Sequence, residues 1–451
     1  MFSKTKKAAG ILLAATMIAT AFAGCGGGDT TGTSSTQGEA PTDAASAAPQ
    51  IKGVTVDEML ANYENYLGDE GTTTEAKLTV WAPSDALETF QKQCDDFVAA
   101  CANRKISIEV KAQGEADAAS NLMNDPDASA DVFGYASDQA SKLYPGGFVA
   151  EVNPAYAATI KETNMEGAVS VATNDDGKLV AFPETGDNGY FIYYNKSKIT
   201  EEQVKSLEGI MEACNEADAK FIMNIGNGYY GCVIPLTAGG TYELDADGYQ
   251  VLNYNKDEVV KTAKAFADLL ANDPHFANDE TDKVLASQLR SGKAIAGVSG
   301  TWKQAAIKSA LGDNFACAKL PTIKVDGVDK DIISMYGYKL LGVNSNSKFP
   351  LTAQALAYYL TGEKAQTERA QTLGWGPSIQ SLVDSDLVKN DVCLSAVYAQ
   401  QKFSVPQIGL HGSFWDPTGS FGAYIVEKKS DLSEEGIAKA YDDMYTSVTA
   451  H

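Results

Sequence analysis

The chain has 451 residues, too many for one ordinary core, and 44% of them are hydrophobic, so two domains with sizeable cores are expected. Against 59 Asp and Glu there are only 36 Lys and Arg, and the net charge of −23 excludes electrostatic binding to nucleic acid or to an anionic membrane surface. The three histidines, His275, His411 and His451, lack metal-site spacing, so we expect no metal site.

The N-terminus has the pattern of an export signal. Three lysines precede an uncharged apolar run from Ala8 to Gly24, and Cys25 follows. This arrangement resembles a bacterial lipobox, with Phe22 where a branched apolar residue is usual. We expect residues 1–24 to be a lipoprotein signal peptide and Cys25 to be lipidated, which anchors the protein at the extracellular face of the cell membrane. The alternative is a lone transmembrane anchor, for which the run is barely long enough.

The next two segments precede the globular pattern. Residues 25–50 are the lipidated Cys25 and a stretch of Gly, Ser, Thr, Ala and Pro that cannot bury a core, so we expect a flexible tether. As a coil, a tether of this length spans roughly 25 to 30 Å. Residues 51–75 form an N-terminal extension with the helix-like stretch VDEMLANYENYLG, and its role is not indicated by the sequence.

From Lys77 the pattern alternates between strand and helix, which is typical of a parallel sheet covered on both faces. The first series consists of strands over 77–83, 105–112 and 130–136, helices over 86–103 and 117–124, and strands over 177–183 and 189–195 separated by the loop ETGDN.

A second α/β series follows, so the predicted fold class is α/β with two lobes. It consists of helices over 201–218, 257–272 and 279–291, strands over 219–224, 294–300 and 331–344, a hairpin at Asp247-Gly248, and helices over 351–371 and 432–446.

The stretch FIMNIGNGYYG contains Gly226, Gly228 and Gly231 in the G-x-G-x-x-G spacing of dinucleotide-binding loops. The required helix and acidic strand end do not follow, because Pro235 and further glycines interrupt the crossover. We therefore predict a glycine-rich loop that presents two tyrosines, and no cofactor.

Six cysteines follow Cys25. Cys94 and Cys101 are seven residues apart on one predicted helix, about 10.5 Å along its axis, which is too far for a disulfide. The sequence leaves open whether the others form disulfides or remain buried thiols. The six are Cys94, Cys101, Cys214, Cys232, Cys317 and Cys393.

Aromatic residues follow four of the predicted strands, at the edge where open α/β sheets bind ligands. Each aromatic residue stands near a carboxylate, an amide or a glycine. Any one of these rings taken alone is better explained as core. Together they indicate a groove for sugars, whose C–H faces stack on rings while their hydroxyls bond to polar side chains. The residues are Trp81 with Asp85, Tyr135 with Asp138, Tyr229 with Tyr230, and Trp302.

These motifs resemble the extracellular solute-binding proteins of carbohydrate ABC importers, and most of all the maltose/maltodextrin-binding branch. The resemblance extends over nearly all of Lys77 to His451 and is distributed along the chain. Its most specific parts are the G-x-W at Gly300, the YYNK that ends at Lys196, and the late Phe414-Trp415.

The resemblance implies which residues contact the sugar. Trp81 and Asp85 match the first strand end, where Ala86 replaces a frequent lysine, and Tyr135 and Asp138 match the third. The acidic sugar ligand of the family falls at Asn188. The implied binding residues are Trp81, Asp85, Tyr135, Asp138, Glu184, Asp187, Asn188, Tyr229, Tyr230, Trp302 and Trp415.

The implied fold is a two-lobed clamp, like the periplasmic binding proteins, with a hinge of three crossings. The crossings are expected near ETGDNG, at Met335 to Tyr338 and at Ser381 to Asp386. The N-terminal lobe would comprise residues 76–186 and 338–383, and the C-terminal lobe would comprise residues 187–337 and 384–451.

The function implied is capture of malto-oligosaccharides, α-1,4-linked glucans, by a monomer that passes them to an ABC permease and its ATPase subunits. We expect no enzymatic activity, no cofactor and no nucleic-acid partner. The alternatives are a binder of a different oligosaccharide and a surface glycoside hydrolase or adhesin.

Overall fold

The computed structural model of the protein describes residues 51–245 and 248–450. The predicted signal peptide, the lipidation site Cys25 and the tether lie outside the described residues. Within the described ranges, no helix has the length and apolar character needed to cross a membrane.

The strands of the described residues are mostly short. They are β1 (Ala76–Ala82), β2 (Ile106–Ala112), β3 (Val132–Ala136), β4 (Phe182–Asn188), β5 (Phe191–Asn195), β6 (Lys220–Ile222), β7 (Thr241–Leu244), β8 (Gln250–Asn253), β9 (Phe276–Ala277), β10 (Ala294–Ser299), β11 (Phe315–Ala318), β12 (Thr322–Val325), β13 (Val328–Asp331), β14 (Ser334–Val343) and β15 (Ser404–Pro406).

Helices connect these strands and cover the sheets. They are α1 (Val56–Ala61), α2 (Glu64–Leu67), α3 (Leu87–Ala100), α4 (Glu115–Asn124), α5 (Ala140–Leu143), α6 (Pro154–Thr163), α7 (Glu166–Val171), α8 (Leu207–Glu216), α9 (Gly228–Gly231), α10 (Val233–Thr237), α11 (Lys256–Leu270), α12 (Thr281–Arg290), α13 (Gln304–Leu311), α14 (Pro350–Leu360), α15 (Glu363–Leu373), α16 (Gln380–Val383), α17 (Asp386–Lys389), α18 (Val392–Gln401), α19 (Trp415–Val426) and α20 (Glu434–Val448).

The first lobe is built on a six-stranded sheet. Its order is β15-β14-β3-β1-β2, and β4 also pairs with β14. The pairs β1–β2 and β1–β3 are parallel, as the strand–helix alternation predicts, whereas β14 runs antiparallel to β3. All ten residues of β14 are buried, and this strand pairs with three others, β15, β3 and β4.

The second lobe is built on a five-stranded sheet with the order β11-β5-β10-β6-β9. β10 is parallel to β6 and antiparallel to β5. The buried apolar side chains form two clusters. One is centred on the first sheet and continues onto residues of the second, such as Phe191, Tyr193 and Ile222, and the other consists mostly of second-lobe residues. The chain passes from the first sheet to the second after β4 and returns to the first sheet at β14. The two sheets confirm the predicted α/β class with two lobes.

Several local predictions are wrong. The expected loop around Tyr229 contains α9 (Gly228–Gly231), and the expected helix over 351–371 is divided into α14 and α15. The stretch ETGDN, expected as a loop, belongs to β4, because β14 pairs with β4 through Gly337 opposite Asn188 and Lys339 opposite Thr185. The stretch CVIPLTAGG was expected to be non-helical, yet it contains α10 with Pro235. This helix is buried throughout, and its tertiary packing outweighs the low helix propensity of proline.

The N-terminal extension is fastened to the first lobe. The carbonyl of Val54 accepts hydrogen bonds from the Tyr358 hydroxyl at 2.5 Å and from Thr159 Oγ1 at 2.9 Å. The carboxylate of Glu70 accepts from the backbone N–H of Thr352 at 2.8 Å, in the first turn of α14, where a negative charge is favourable.

Candidate functional site

The second lobe gathers four of the expected sugar-binding aromatics into one cluster. The Tyr229 ring lies 6.5 Å from the Trp302 ring, 6.4 Å from the Trp415 ring and 5.3 Å from the Tyr230 ring, measured between centroids. Tyr190, which the sequence analysis did not single out, lies 4.9 Å from Tyr229. We call these five residues the aromatic cluster; Tyr229, Trp302 and Trp415 are only partly buried.

The glycines around Tyr229 serve close packing. A side chain at Gly228 would come within 2.1 Å of the Trp415 carbonyl oxygen, and one at Gly231 within 2.5 Å of the Ile225 carbonyl oxygen. Glycine is therefore required where α9 approaches α19, and this contact sets Tyr229 beside Trp415. The G-x-G-x-x-G spacing thus reflects packing within the lobe.

The orientation of Trp302 is fixed by a carboxylate. Trp302 follows β10, and its indole N–H donates to Asp282 Oδ1 at 3.1 Å. Ser299 Oγ donates to the same oxygen at 2.6 Å. Because the indole N–H is bonded in this way, the orientation of the Trp302 ring is restricted before any ligand binds.

The first lobe places charged groups next to this cluster. Lys339 on β14 is buried, and its Nζ lies 3.0 Å from Glu115 Oε2 at the start of α4. Glu184 on β4 and Arg369 on α15 are also buried and interact electrostatically. With Asp187 these residues form what we call the charged cluster; they are Glu115, Glu184, Asp187, Lys339 and Arg369.

The protonation of this cluster is unusual. Burial raises the pKa of Glu184 to about 7, against the opposing effects of Arg369 and Lys339. Burial by itself lowers the pKa of Lys339, but Glu115, Asp187 and Glu184 outweigh it and hold the pKa above its ordinary value. Lys339 is therefore charged at neutral pH, and Glu184 is close to half-protonated.

Several polar atoms of the charged cluster lack a partner within the described residues. They are both carboxylate oxygens of Glu184, Oε1 of Glu115 and Nη2 of Arg369. Unpaired buried polar atoms are costly, and they often mark a place where a ligand or water binds.

Asp187 and Asn188 hold the junction between the lobes. Asp187 Oδ2 accepts from Thr301 Oγ1 at 2.6 Å and from the backbone N–H of Gly376 at 2.7 Å. Asn188 Nδ2 donates to Gln407 Oε1 at 3.0 Å. Both side chains are buried, so in this conformation they connect segments of the protein to one another.

The remaining expected residues lie in the first lobe. Trp81, near the end of β1, is partly buried, and Asp85 in the following turn is exposed. Tyr135 is fully buried, and its hydroxyl lies 3.1 Å from that of Tyr144. Burial raises the pKa of Asp138 to about 6, and Asp138 lies close enough to Tyr229 to affect that hydroxyl electrostatically.

The two clusters meet at Lys339. Its ammonium lies 5.9 Å from the centroid of the Trp302 ring and 4.9 Å from that of the buried Trp375 ring. A cation near an aromatic face is attracted to the ring, by roughly 2 kcal/mol when water is excluded. Among the described residues, no group of three or more His, Cys, Asp or Glu side chains is arranged to hold a metal ion.

Sequence reasoning missed Tyr190 and Arg369 as well as Lys339, Glu115 and Asp282. Lys339 had a detectable signal, because it is the one charged residue in the apolar run SMYGYKLLGV, where a charge needs a buried partner. Glu115 and Asp282 stand in acidic, exposed-looking helix starts and gave no such signal.

A family model described as "Bacterial extracellular solute-binding protein" matches residues 85–396. The galactooligosaccharide-binding protein of Bacillus subtilis strain 168 is 28% identical over 57% of this chain and 63% of its own length. The match therefore spans less than two thirds of that relative.

Solved structures give the same fold. One, described "with acarbose", has a TM-score of 0.76 at 26% identity and covers 83% of this chain and 99% of its own. The maltodextrin-binding protein MalE1 from L. casei BL23, without ligand, has a TM-score of 0.71 at 24% identity and covers 84% of this chain and 100% of its own. The resemblance predicted from the sequence motifs is confirmed.

Proposed function

The chain belongs to the family of bacterial extracellular solute-binding proteins, and from this premise we propose that it captures malto-oligosaccharides between its two lobes for import by an ABC transporter. The observation that carries this ligand class is the aromatic cluster, with Tyr229 between Trp302 and Trp415. The similarity to a maltodextrin-binding protein and to a structure described with acarbose supports the same class.

The chemistry of the two clusters suits a sugar. Ring faces accept the C–H faces of a pyranose, and each stacked ring contributes dispersion and desolvation. The unpaired oxygens of Glu184 and Glu115 are acceptors, and sugar hydroxyls are donors. Trp81, Asp85, Tyr135 and Asp138 extend the proposed site into the first lobe, as the family resemblance implies.

A second ligand is favoured by one observation, the similarity to a galactooligosaccharide-binding protein. Galacto-oligosaccharides and malto-oligosaccharides share the stacking faces and differ in the orientation of hydroxyls and in linkage. We rank malto-oligosaccharides first, because the structures described with acarbose and as maltodextrin-binding cover more of this chain than the galactooligosaccharide-binding relative does.

Calorimetric titration with equal concentrations of maltotriose, maltotetraose, a galactosyl trisaccharide and cellotriose tests the ligand. The proposal expects saturable binding of the maltose series, with one sugar bound per chain. Binding of the galactosyl trisaccharide alone would show that the ligand is a galacto-oligosaccharide, and the protein would still be an oligosaccharide carrier. Absence of heat with all four, and no rise in melting temperature, would contradict an oligosaccharide carrier.

We propose a carrier without enzymatic activity. Of the other two functions considered, a hydrolase would release reducing ends from the sugar it binds, and an adhesin would bind polymer without taking up free oligosaccharide. Incubation of stoichiometric protein with maltotetraose, followed by a reducing-end assay, distinguishes these cases. Recovery of intact sugar is the expected result.

The remaining parts of the proposal concern location and assembly. Lipidation at Cys25 would hold a monomer at the outer face of the membrane, where a permease and its ATPase subunits receive the sugar. Cys25→Ser should move the protein from the membrane fraction to the medium. A protein that stays membrane-bound after this change would instead support the transmembrane alternative.

A further inference from the structure

Two of the six cysteines that follow Cys25 are in contact. Cys317 lies on β11, the edge strand of the second sheet, and Cys393 lies in the first turn of α18. Their sulfurs are 2.9 Å apart. A movement of less than about 1 Å brings them to the disulfide bonding distance of about 2.05 Å. Among the described residues, no other two cysteine sulfurs are in contact.

The helix that carries Cys393 contacts strands of both sheets, β4 of the first and β5 and β11 of the second. Asp391 caps it, because Asp391 Oδ1 accepts from the backbone N–H of Cys393 at 2.8 Å. Further along the helix, the Tyr398 hydroxyl donates to the Pro377 carbonyl at 2.8 Å, in the segment beside β4. The helix therefore contacts the segment beside β4 at one point and the edge of the second sheet at another.

The cysteine pair also supports the loop of Trp302. Tyr193 lies beside both sulfurs, and its hydroxyl donates to the Gly300 carbonyl at 2.8 Å. Gln304 Nε2, two residues after Trp302, donates to Asp391 Oδ2 at 2.7 Å. Both ends of the short Trp302 loop are thus bonded to residues next to the pair.

We propose that Cys317 and Cys393 form an intramolecular disulfide in the extracellular protein, which fastens α18 to β11 beneath the Trp302 loop. Its oxidant is an external disulfide, either a small-molecule disulfide or an exchange catalyst. One protein thiolate attacks a sulfur of that disulfide and releases one external thiolate. The second protein thiolate then attacks the protein sulfur of the mixed disulfide and releases the other. The two protein thiols lose two protons, and the external disulfide is reduced to two thiols.

The timing of this step follows from burial. Burial raises the pKa of the Cys317 thiol well above its ordinary value, and the contact with Cys393 adds to this effect. The reactive thiolate is therefore scarce in the folded, reduced protein. We expect the bond to form while the second lobe folds, before α18 covers the edge strand.

Peptide mapping of the full-length protein tests the proposal. The protein is refolded from denaturant with oxidised and reduced glutathione, alkylated under denaturing conditions, and digested with trypsin. Cleavage at lysines places Cys317 in the peptide 309–319 and Cys393 in the peptide 390–402, with no other cysteine in either. The expected product is the two peptides joined, at a mass two hydrogens below their sum, and separated by dithiothreitol. Recovery of both peptides alkylated, or of glutathione adducts alone, would overturn the proposal.

Thermal unfolding supplies the second measurement. The bond closes a loop of more than 70 residues, so oxidised wild type should melt about 4 to 10 °C above the reduced protein. Cys393→Ser should abolish this difference. Cys214→Ser, at a buried cysteine with no thiol neighbour, should preserve it. A redox difference that persists in Cys393→Ser would contradict the assignment. If that variant does not fold, the peptide map of the wild type decides.

Discussion

The two lobes contribute opposite chemistry to the region where they meet. The second lobe contributes rings, with Tyr229, Trp302 and Trp415 in one cluster. The first lobe contributes buried charges, with Lys339 between Glu115 and the ring of Trp302. Because Tyr229, Trp302 and Trp415 are partly exposed, we expect the aromatic cluster to tolerate the loss of one ring. The charged cluster depends on balance, because each buried charge needs a partner. Mutations in the charged cluster should therefore lower stability, whereas mutations in the aromatic cluster should mainly lower sugar affinity.

The largest expected effect comes from removing the central cation. Lys339→Met leaves Glu115 and Glu184 without their common positive partner in a buried place. We expect the free energy of unfolding to fall by about 3 to 5 kcal/mol, as for other broken buried ion pairs. Chemical denaturation measures this loss. Lys205→Met, at an exposed pair with Glu202, is the control and should change stability far less. An equal loss of unfolding free energy in Lys339→Met and Lys205→Met would contradict a stabilising role for the buried charge balance.

The next effect is a pH dependence of stability. The pKa of Glu184 is about 7 in the folded protein and near 4.5 in the unfolded chain, because burial disfavours the charged form. Its contribution to stability is therefore complete below pH 4.5 and is lost as pH rises through 7, by about 3 kcal/mol in all. Glu184→Gln cannot ionise and should flatten this part of the pH–stability curve. Parallel curves for wild type and variant, from urea unfolding between pH 4.5 and 8, would contradict the assignment.

On the aromatic side, the effect should appear in affinity. A ring stacked on a sugar contributes on the order of 1 to 3 kcal/mol, so Trp302→Ala or Trp415→Ala should weaken malto-oligosaccharide binding about 5- to 150-fold. Both rings are partly exposed, so the melting temperature should fall less than for a core change. Phe421→Ala, in the core of the same lobe, is the matched control and should lower the melting temperature with little change in affinity. The opposite pattern would place the tryptophans in the core.

The smallest effect concerns one hydroxyl. Tyr229 has a buried hydroxyl with no partner among the described residues. Tyr229→Phe should leave stability unchanged or slightly raised, and it should weaken sugar binding by no more than about 10-fold, the value of one hydrogen bond. Tyr229→Ala also removes the ring and should lose more affinity. The control is Tyr242→Phe, which loses a bond to the Pro406 carbonyl and should reduce stability alone. Equal affinities of Tyr229→Phe and Tyr229→Ala would show that the ring does not stack.

The sequence predicted the parts of this fold that local pattern determines. The alternation of strand and helix placed β1, β2 and β3, and the family motifs located four of the five rings of the aromatic cluster, all except Tyr190. The prediction of a loop at ETGDN was wrong, because the strand conformation of this segment is imposed by pairing with β14, which lies far along the chain. The pairing of Lys339 with Glu115 could not be predicted for the same reason, since no local signal relates β14 to the start of α4.

The Cys317–Cys393 contact is another long-range contact that the sequence could not predict. Spacing excluded a bridge between Cys94 and Cys101 on one helix, but it could not select which distant cysteines meet. The two sulfurs come together because α18 returns to the edge of a sheet formed much earlier in the chain.

Tryptophan fluorescence tests the central claim most directly, because all four tryptophans, Trp81, Trp302, Trp375 and Trp415, lie in the proposed site or against its charged cluster. Titration with maltotriose should change the emission saturably, with the dissociation constant found by calorimetry. Trp302→Phe and Trp415→Phe should each remove part of that change. Calorimetric binding with emission unchanged in the wild type would contradict the account, because the sugar would then bind away from the aromatic cluster.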